Sequence, residues 1–256
     1  MQLVSILSDF GAKDYYLAQL KASLWSQVKD IQVLDIAHEI PLHDIALGAF
    51  YLKNVLPRCP EGCIFILAVH NFYDQDCRYL ACEYEGHYFI APDNGIFSLI
   101  FPEERMVQFF QIDPSKIHDS NLLRLYSHAV AMIYHRMPLQ ELGPAVTEIE
   151  RKLDLRPVIT GSQIRASIIH IDCFENVVIN LTREQFEKSR DGRKFKLFYK
   201  QHDPITEIVH HYGDVGPGEV LARFTEVGYL EIAVYMGKAS SNFHLNKNET
   251  IQIDFY

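Results

Sequence analysis

Leu3-Val-Ser-Ile-Leu-Ser-Asp-Phe-Gly11, near the start of the chain, decides the fold. Its first six residues have the apolar character of a buried strand, and the strand ends abruptly at an acid, an aromatic residue and a glycine. Apolar residues then recur at helical spacing between Tyr16 and Val28, which predicts a helix directly after the strand. This opening segment therefore predicts a fold that alternates strands with helices.

The same alternation continues through the first half of the chain. The apolar patterns predict strands at residues 31–36, 63–69 and 88–91 and helices at residues 45–55 and 122–137. Strands that are apolar throughout are typical of sheets covered on both faces. We therefore predict an α/β N-terminal domain with a mostly parallel sheet.

After Arg156-Pro157 the pattern changes to short strands separated by turns. The predicted strands are residues 163–172, 176–181, 194–199, 221–224, 229–234 and 250–255, with one brief helix at 183–189. Regularly spaced short strands indicate a smaller all-β C-terminal domain, either a barrel or a sandwich. The domain boundary is predicted within Glu150–Thr160, giving an α/β domain of residues 1–155 and a barrel-like domain of residues 160–256.

The composition is that of a folded, acidic protein. Of 256 residues, 48% are hydrophobic and 22% are charged, which excludes a disordered chain. No apolar run approaches the ~18 residues of a membrane helix, and no basic leader precedes the first strand, so a cytoplasmic protein is expected, without a membrane partner. The net charge of −9 argues against a nucleic-acid partner and is compatible with a cationic small molecule.

Cysteine and histidine spacing does not favour a metal site. The five cysteines contain no Cys-x-x-Cys pair and are expected to be buried thiols. The chain has no His-Glu-x-x-His pattern, although His38, His43 and His70 could converge. We therefore predict no metal and no cofactor, and a metal site remains the minority interpretation.

Polar residues gather where three predicted strands end. The three segments are Ser8–Gly11 followed by Asp14, Asp35–Pro41, and Pro92–Gly95. In open α/β sheets, ligands bind beyond the carboxyl ends of the strands. A carboxylate at such an end, such as that of Asp9, can accept two hydrogen bonds from a ribose diol.

Each of these segments also has a purely structural interpretation. Asp9 could cap the next helix, Asp93-Asn94-Gly95 has the composition of a tight turn, and His38-Glu39 could be a local polar pair. Their coincidence at three strand ends favours a ligand site over these separate interpretations.

A second polar segment interrupts a strand of the second half. Residues 170–176 read His-Ile-Asp-Cys-Phe-Glu-Asn. The ring of Phe174 could stack on a nucleobase, and the amide of Asn176 could pair with an adenine edge. The alternative is an ordinary β-turn that contains Asn176.

With these segments in view, the sequence resembles the S-adenosyl-L-methionine (SAM) hydroxide adenosyltransferases, or SAM hydrolases, which are relatives of the bacterial fluorinase and chlorinase. The resemblance runs nearly end to end. It rests on seven motifs in order: Ser8-Asp9-Phe10-Gly11-x-x-Asp14, Asp35-Ile-Ala-His38-Glu39-Ile-Pro41, Ala91-Pro92-Asp93-Asn94-Gly95, Pro138-Leu-Gln-Glu-Leu-Gly143-Pro144, Ile171-Asp172-x-Phe174-x-Asn176, Gly216-Pro217-Gly218-Glu219 and Gly228-Tyr-Leu-Glu231-Ile-Ala233-Val-x-x-Gly237-x-Ala239.

The resemblance implies a homotrimer in which SAM lies between the N-terminal domain of one subunit and the C-terminal domain of its neighbour. It implies that Asp9 binds the ribose hydroxyls and that Asp14 and Asp172 face the methionine ammonium. It also implies an adenine pocket. The residues assigned to that pocket are Phe174, Asn176 and the backbone near Ala239.

The resemblance also implies a reaction, which is displacement of methionine from the C5′ carbon by water or hydroxide. Asp93 and Asn94, in the third motif, complete the predicted ligand-binding set. The family's water-activating Asp, Arg and His, however, are replaced. The Asp position carries His70, the Arg position carries Cys77 with Arg78 beside it, and the His position carries Asn121.

Three interpretations stay open at this point. The first is a SAM hydrolase with a rebuilt site, in which His70 is the general base, supported by Arg78 or Asp74 and by Asn121. The second is a catalytically silent SAM or adenosine binder, in which His70 only satisfies a neighbour. The third is a displacement with another nucleophile, or an unrelated nucleoside reaction.

Overall fold

The computed structural model describes residues 2–71, 77–101, 107–119, 121–152, 156–200 and 203–256, which form two compact units, Met1–Leu153 and Asp154–Tyr256. Asp74 lies outside the described residues. The strands are β1 Gln2–Ser8, β2 Ile31–Ala37, β3 Ile64–Ala68, β4 Tyr79–Tyr84, β5 His87–Pro92, β6 Phe109–Gln111, β7 Ala145–Val146, β8 Val158–Ile159, β9 Gln163–Ile171, β10 Val177–Thr182, β11 Phe195–Phe198, β12 Val220–Phe224, β13 Tyr229–Val234 and β14 Thr250–Phe255. The α-helices are α1 Tyr16–Gln27, α2 Ile45–Val55, α3 Ile96–Ile100, α4 Leu122–Tyr134, α5 Arg183–Arg190 and α6 Ala239–Phe243.

The first unit contains a seven-stranded sheet in the order β2-β1-β3-β5-β4-β6-β7. Strands β2, β1, β3 and β5 run parallel, whereas β4, β6 and β7 continue the sheet with antiparallel pairing. The predicted α/β domain with a mostly parallel sheet is thereby confirmed. The carboxyl ends of the four parallel strands meet at one edge of the sheet.

Helices cover both faces of this sheet because side chains alternate along each strand. Val4 and Ile6 of β1 pack on one face with residues of α1 and α4. Leu7 of the same strand and Phe65 of β3 pack on the other face with residues of α2 and α3. Every residue of β3 is buried, which explains its uninterrupted apolar sequence.

The antiparallel side of the sheet was absent from the sequence prediction. Strands β4 and β5 form a hairpin whose two turn residues, Glu85 and Gly86, both have left-handed conformations with φ of +49° and +77°. These are the signs of a two-residue type I′ turn, which Asn-Gly and Asp-Gly mark strongly in a sequence and Glu-Gly does not. Helix α3 was also missed, because a helix of five residues is too short to display a helical period.

The second unit is built on one antiparallel sheet in the order β11-β14-β9-β10-β13-β12, with β8 paired to β9. The segment after β11 contacts both outer strands of this sheet. Ile205 pairs with Leu197 of β11, and Ile208 pairs with Ala222 of β12. The curled sheet confirms the predicted barrel-like all-β domain. The single helix predicted here is α5, and α6 is an addition that the sequence patterns did not indicate.

Two further properties of the described residues bear on the predictions. None of their helices combines the length and the apolar character needed to cross a membrane. The expectation of buried thiols holds for Cys63 and Cys82 but is wrong for Cys173, which is exposed on the turn after β9, and Cys59 and Cys77 are half-buried.

The core of the second unit depends on Phe186 of α5. Its ring is fully buried and lies 5.1 Å from that of Phe195, 5.7 Å from that of Phe224 and 6.0 Å from that of Phe255, measured between centroids. Thr182 and Gln185 form a capping box that starts the helix and fixes the position of the ring.

We expect Phe186→Ala to lower the free energy of unfolding by about 3–5 kcal/mol, because it removes buried aromatic surface and leaves a cavity. The measurement is urea denaturation followed by circular dichroism. Lys188→Ala, at an exposed position of the same helix, is the matched control and should change stability by less than about 0.5 kcal/mol. A cost for Phe186→Ala no greater than that of the control would contradict this account of the core.

Candidate functional site

The residues that follow the four parallel strands of the first unit lie at one edge of the sheet. His38 follows β2, Asp9 follows β1, His70 follows β3 and Asn94 follows β5. We refer to these four residues, together with His43, as the Asp9 cluster. Its position is the one where open α/β sheets bind ligands.

Asp9 joins three segments of the chain through a single oxygen atom. Its Oδ2 accepts hydrogen bonds from the backbone N–H groups of His43, at 3.1 Å, and His70, at 3.0 Å. Among the described residues, no group donates to its Oδ1. Asp9 is not the cap of α1, because that helix is preceded by Tyr15 and has no side-chain cap. One oxygen of Asp9 is thus held by the protein, and the other is available to a ligand.

His43 and His70 both adopt left-handed backbone conformations, with φ of +69° and +53°. Such conformations are uncommon for residues other than glycine, although histidine tolerates them better than most. The two imidazole rings contact each other, with centroids 4.4 Å apart and planes tilted by 59°. The hydrogen bonds to Asp9 therefore fix two unusual turns and bring two imidazoles together.

The surroundings of His70 favour its neutral form. Burial lowers the pKa of its imidazole, and the charges of His43 and Lys152 lower it further, while the carboxylate of Asp9 acts in the opposite direction. Because the ordinary pKa of histidine is about 6.5, the ring is neutral at physiological pH. A neutral imidazole can accept a proton from a nucleophile, as the predicted base requires.

Asn94 is buried and uses its side chain to hold the turn that carries His70. Its Nδ2 donates to the carbonyl oxygens of Val69, at 2.9 Å, and His70, at 3.1 Å, and its Oδ1 accepts the N–H of Ile96 at 3.1 Å. The next residue, Gly95, has φ of +96°, and a Cβ atom there would lie 2.5 Å from Cγ of Lys152. The turn after β5 therefore needs both an amide and a glycine.

Asp93 and Arg78 form an ion pair. Oδ1 of Asp93 also accepts the N–H of Glu150 at 2.9 Å, and Arg78 donates to the carbonyl oxygen of Glu148 at 3.3 Å. These bonds tie the turn after β5 to the segment that follows β7. Ligand contacts by Asp93, Asn94 and Arg78 stay predictions, and the bonds described here are all made with the protein.

His38 lies in a chain of polar contacts behind Asp9. Its Nδ1 is 2.7 Å from Oγ of the buried Ser8, and its Nε2 is 3.1 Å from Oδ1 of Asp35, whose other oxygen binds Lys21 at 2.6 Å. Burial by itself would raise the pKa of Asp35, but the hydrogen bonds from Lys21 and His38 lower it. His38 therefore cross-links the ends of β1 and β2. The neighbouring Glu39 makes a separate bond, in which its carboxylate accepts the N–H of Ala12 at 3.2 Å.

Asp14 and Asn121 are exposed and lie outside these contacts. Asp14 is on the loop between β1 and α1. Asn121 caps α4 by accepting the N–H of Arg124 at 3.0 Å. The same helix contacts the turn of His70 through Tyr126, whose hydroxyl donates to Oδ1 of Asn71 at 2.6 Å. Direct participation of Asp14 and Asn121 in a site stays a prediction.

In the described ranges of the chain, no three His, Cys, Asp or Glu side chains are grouped in a way that could hold a metal ion. The two imidazoles that do meet, those of His43 and His70, pack ring against ring. His38, the third histidine considered from the sequence, is bound to Ser8 and Asp35 instead.

The second unit contains a cleft of about 880 Å³. Three of the residues predicted from the sequence line it, namely Asp172, Phe174 and Asn176. The other lining residues are Cys173, Tyr212, Val234, Tyr235, Met236, Gly237, Lys238 and Asn242. The volume is within the range of small-molecule sites. Ala239 directly follows this lining and begins helix α6.

The carboxylate of Asp172 shapes the turn that forms one wall of the cleft. Its Oδ1 accepts the N–H groups of Phe174, at 2.9 Å, and Asn176, at 2.8 Å, and its Oδ2 accepts Nδ2 of Asn176 at 3.0 Å. A β-turn of residues 172–175, closed by the N–H of Glu175 on the carbonyl oxygen of Asp172 at 3.0 Å, precedes Asn176, so the predicted alternative of a β-turn holds for this segment but does not include Asn176 itself. The turn leaves the ring of Phe174 70% exposed, so that a flat aromatic surface is free to bind a ligand.

Glu175 links this turn to helix α6. Its carboxylate binds Lys238 at 2.6 Å, the N–H of Ser241 at 3.0 Å and the hydroxyl of Ser241. The hydrogen bond from Lys238 is the main cause of a pKa lowered to about 2. The backbone carbonyl of Glu175 also accepts the N–H of Ser240 at 3.0 Å. These bonds connect the turn that carries Phe174 to the helix that begins at Ala239, so the two segments are held together.

Tyr212 provides a second aromatic ring in the cleft. Its hydroxyl donates to Oε1 of the buried Glu231 at 2.8 Å, and the guanidinium of Arg223 lies 4.5 Å from the centre of its ring. Burial raises the pKa of Glu231, and burial likewise raises that of the Tyr212 phenol. The phenol therefore stays protonated and keeps its donor bond to Glu231.

His43 and Tyr212 are among the site residues that sequence reasoning did not identify. From the sequence, His43 is a candidate only for a metal ligand, and no sequence pattern points to Tyr212. An aromatic residue in a loop between strands carries no local signal. Only the three-dimensional structure brings these side chains to His70 and to the cleft.

Comparisons with known proteins find matches to both units of the chain. The family model described as the SAM hydroxide adenosyltransferase N-terminal domain matches residues 4–143, and the model of the C-terminal domain matches residues 166–252. Together they span most of the chain.

Individual relatives extend over nearly the full length. The chain is 25% identical to an (R)-S-adenosyl-L-methionine hydrolase of Thermus thermophilus, with 99% of this chain and 100% of the relative covered. It is 22% identical to a fluorinase of Actinoplanes sp., covering 98% and 97%. A crystal structure of an uncharacterized conserved protein from Thermotoga maritima has the same fold, with a TM-score of 0.84, 22% identity, and 98% and 99% of the two chains covered.

Asn94→Asp should destabilise the protein by about 2–4 kcal/mol at neutral pH, because a carboxylate would face two carbonyl oxygens that now receive hydrogen bonds. Burial beside these carbonyls raises the pKa of the introduced carboxyl, so the loss should shrink as the pH falls towards 4, where the protonated acid can donate again. Urea denaturation at several pH values measures this.

Asn121→Asp is the matched control, because aspartate caps a helix as well as asparagine does. It should leave stability nearly unchanged. Equal effects of the two substitutions would contradict the role assigned to Asn94.

Proposed function

The chain belongs to the S-adenosyl-L-methionine hydroxide adenosyltransferase family, and from this premise we propose that it hydrolyses SAM to adenosine and L-methionine. Relatives named (R)-S-adenosyl-L-methionine hydrolase support this activity. The observation that carries the proposal is the state of Asp9, whose Oδ2 is anchored by two backbone N–H groups while its Oδ1 remains available beside a neutral imidazole.

In this proposal Asp9 accepts a hydrogen bond from the ribose, and the rings of Phe174 and Tyr212 enclose the adenine. Both rings line one cleft, where Asn176 offers an amide edge. Ala239 contributes its backbone, since the first N–H groups of a helix have no acceptor within the helix. Asp14 and Asp172 attract the methionine ammonium by opposite charge.

The reaction needs little from the protein beyond orientation. Water attacks C5′ of SAM, the C5′–S bond breaks, and its electron pair remains on sulfur as the thioether of methionine. His70 accepts the proton that the water releases, which forms the 5′-hydroxyl of adenosine. The sulfonium is already a good leaving group, so the proposed chemistry requires no metal or cofactor, and positioning dominates.

A neutral imidazole also suits the charge of the substrate. A protonated His70 would repel the sulfonium cation, whereas the neutral ring can take up the proton as the substrate loses its charge. Arg78 and Asn121 support the base indirectly in this scheme. Arg78 holds Asp93 in the turn after β5, and Asn121 begins the helix whose Tyr126 contacts the residue after His70.

We further propose a homotrimer in which each site takes Asp9 from one subunit and Phe174 from its neighbour, as the sequence resemblance implies. The proposed location is the cytoplasm. A silent SAM or adenosine binder is the second candidate. It is favoured by one observation, namely that the side chains of Asp93, Asn94 and Arg78 all make bonds with the protein.

We expect incubation with SAM to yield adenosine and methionine in equal amounts, measured by chromatography, and His70→Ala to reduce the turnover number at least a hundredfold, in line with the loss of a general base. Binding of SAM, measured by calorimetry, should persist in this variant. His135→Ala, at an exposed histidine at the end of α4, is the control and should keep full turnover. SAM that stays intact while it binds would favour the silent binder over the hydrolase.

The shared site can be tested with two variants that damage different units. Asp9→Asn keeps an oxygen for the N–H groups of His43 and His70 but presents an amide to the ligand, and Phe174→Ala removes an exposed ring without disturbing the core. Each variant alone should be nearly inactive. Refolded together in equal amounts, they should recover about a quarter of the wild-type activity, because about a quarter of the interfaces in a closed assembly then combine two intact halves.

Absence of any recovery, with both variants folded and assembled, would contradict a site shared between subunits. It would leave hydrolysis itself untouched, because wild-type turnover is measured separately.

A further inference from the structure

Backbone hydrogen bonds to Asp9 hold His43 and His70 where their side chains are in contact. Both residues have left-handed conformations, and both donate their N–H groups to the same oxygen of Asp9. His70 is held from its other side as well, because its carbonyl oxygen accepts Nδ2 of Asn94. Left-handed conformations of non-glycine residues persist only where the surroundings impose them, and they concentrate at functional sites.

These constraints leave the rings little freedom relative to each other. With both main chains anchored on one atom, the imidazoles meet at 4.4 Å between centroids and at a tilt of 59°. This spacing is that of an aromatic pair in contact. Rotation of the His70 ring about its side-chain bonds towards His43 is limited by this contact.

From this geometry we infer that His43 is a positioning residue for His70: the two imidazoles form a packed pair, fixed on Oδ2 of Asp9, in which His43 sets the orientation of the His70 ring. The inference rests on the proposed function for its catalytic meaning. It assigns His43 a role that acts through another residue, without contact between His43 and the reacting atoms.

The charges around His70 give the pair an electrostatic consequence. In the part of the chain that the structure describes, the titratable groups facing this imidazole are His43 from the loop before α2, Asp9 from the end of β1 and Lys152 from the segment after β7. A proton on either imidazole opposes a proton on the other, because the rings are in contact. His43 thus helps to keep His70 neutral until it accepts the proton of the nucleophile.

Two substitutions of His43 separate its effect on the orientation of the His70 ring from its effect on the charge of that ring. His43→Phe keeps an aromatic ring against His70 but removes the titratable charge. His43→Asn removes the ring and tolerates the left-handed conformation, so its backbone can still donate to Asp9. His135→Asn, at the exposed end of α4, is the matched control for the loss of a histidine.

The first measurement is the NMR titration of the His70 ring protons, which requires no substrate. In the wild type the midpoint should lie below the ordinary value of about 6.5. It should rise in both His43 variants, because a neighbouring positive charge is lost, and it should stay at the wild-type value in His135→Asn. A merely structural role of His43 would not move this midpoint while the fold, checked by thermal denaturation, is retained.

The second measurement is the pH profile of SAM turnover. His43→Phe should keep kcat within about threefold and shift the acidic limb of the profile upward by as much as the NMR midpoint, whereas His43→Asn should lower kcat about ten- to a hundredfold with little change in KM, as expected for a misplaced base. Unchanged His70 midpoints in both variants would overturn the inference. Shifted midpoints in a protein that does not cleave SAM would retain the imidazole pair and overturn the hydrolase proposal alone.

Discussion

The site depends on one carboxylate oxygen, Oδ2 of Asp9. By accepting the N–H groups of His43 and His70, it connects the end of β1 with the end of β3 and with the loop that leads into α2. This connection requires β1 to lie between β2 and β3 in the parallel part of the sheet, since only that strand order puts the three ends side by side. The sheet therefore supplies the position and Asp9 supplies the bonds.

Much of the fold could be predicted because its elements carry strong local patterns. Strand β3 is buried on both faces and is apolar throughout, and α2 begins and ends at the predicted residues, with Asp44 as its cap. The elements that escaped prediction are short or depend on partners. Strand β4 is defined by a Glu-Gly turn with weak sequence preference, and α6 consists of five residues held by Glu175 from another segment. Their stability is a property of the assembled unit, which a single window of sequence does not contain.

The site could be predicted in its chemistry more than in its geometry. Carboxylates and amides at strand ends drew attention to Asp9 and Asn94, and Phe174 was identified from an aromatic residue interrupting a strand. The sequence did not indicate that the amide of Asn94 would be consumed by the carbonyls of Val69 and His70. Nor did it indicate Tyr212, which enters the cleft from a distant loop. Residue type predicts what a side chain can bind, and only the surrounding backbone decides whether its donors and acceptors are already used.

In the proposed mechanism, His70 stands where the sequence resemblance places a family carboxylate, and this changes what the site must control. A carboxylate near a sulfonium is attracted to the substrate, so its ionised form is stabilised by the substrate itself. An imidazole acting as the proposed base would gain no such stabilisation from SAM, because its functional form is uncharged and its protonated form is repelled. The protein must therefore fix the ring and keep it neutral by other means. Burial, the contact with His43 and the nearby Lys152 all act in that direction and outweigh the opposing charge of Asp9. Asp9 thus acts on the proposed base in two ways: its Oδ2 fixes the turns that carry His43 and His70, and its charge opposes the neutral form of the His70 imidazole.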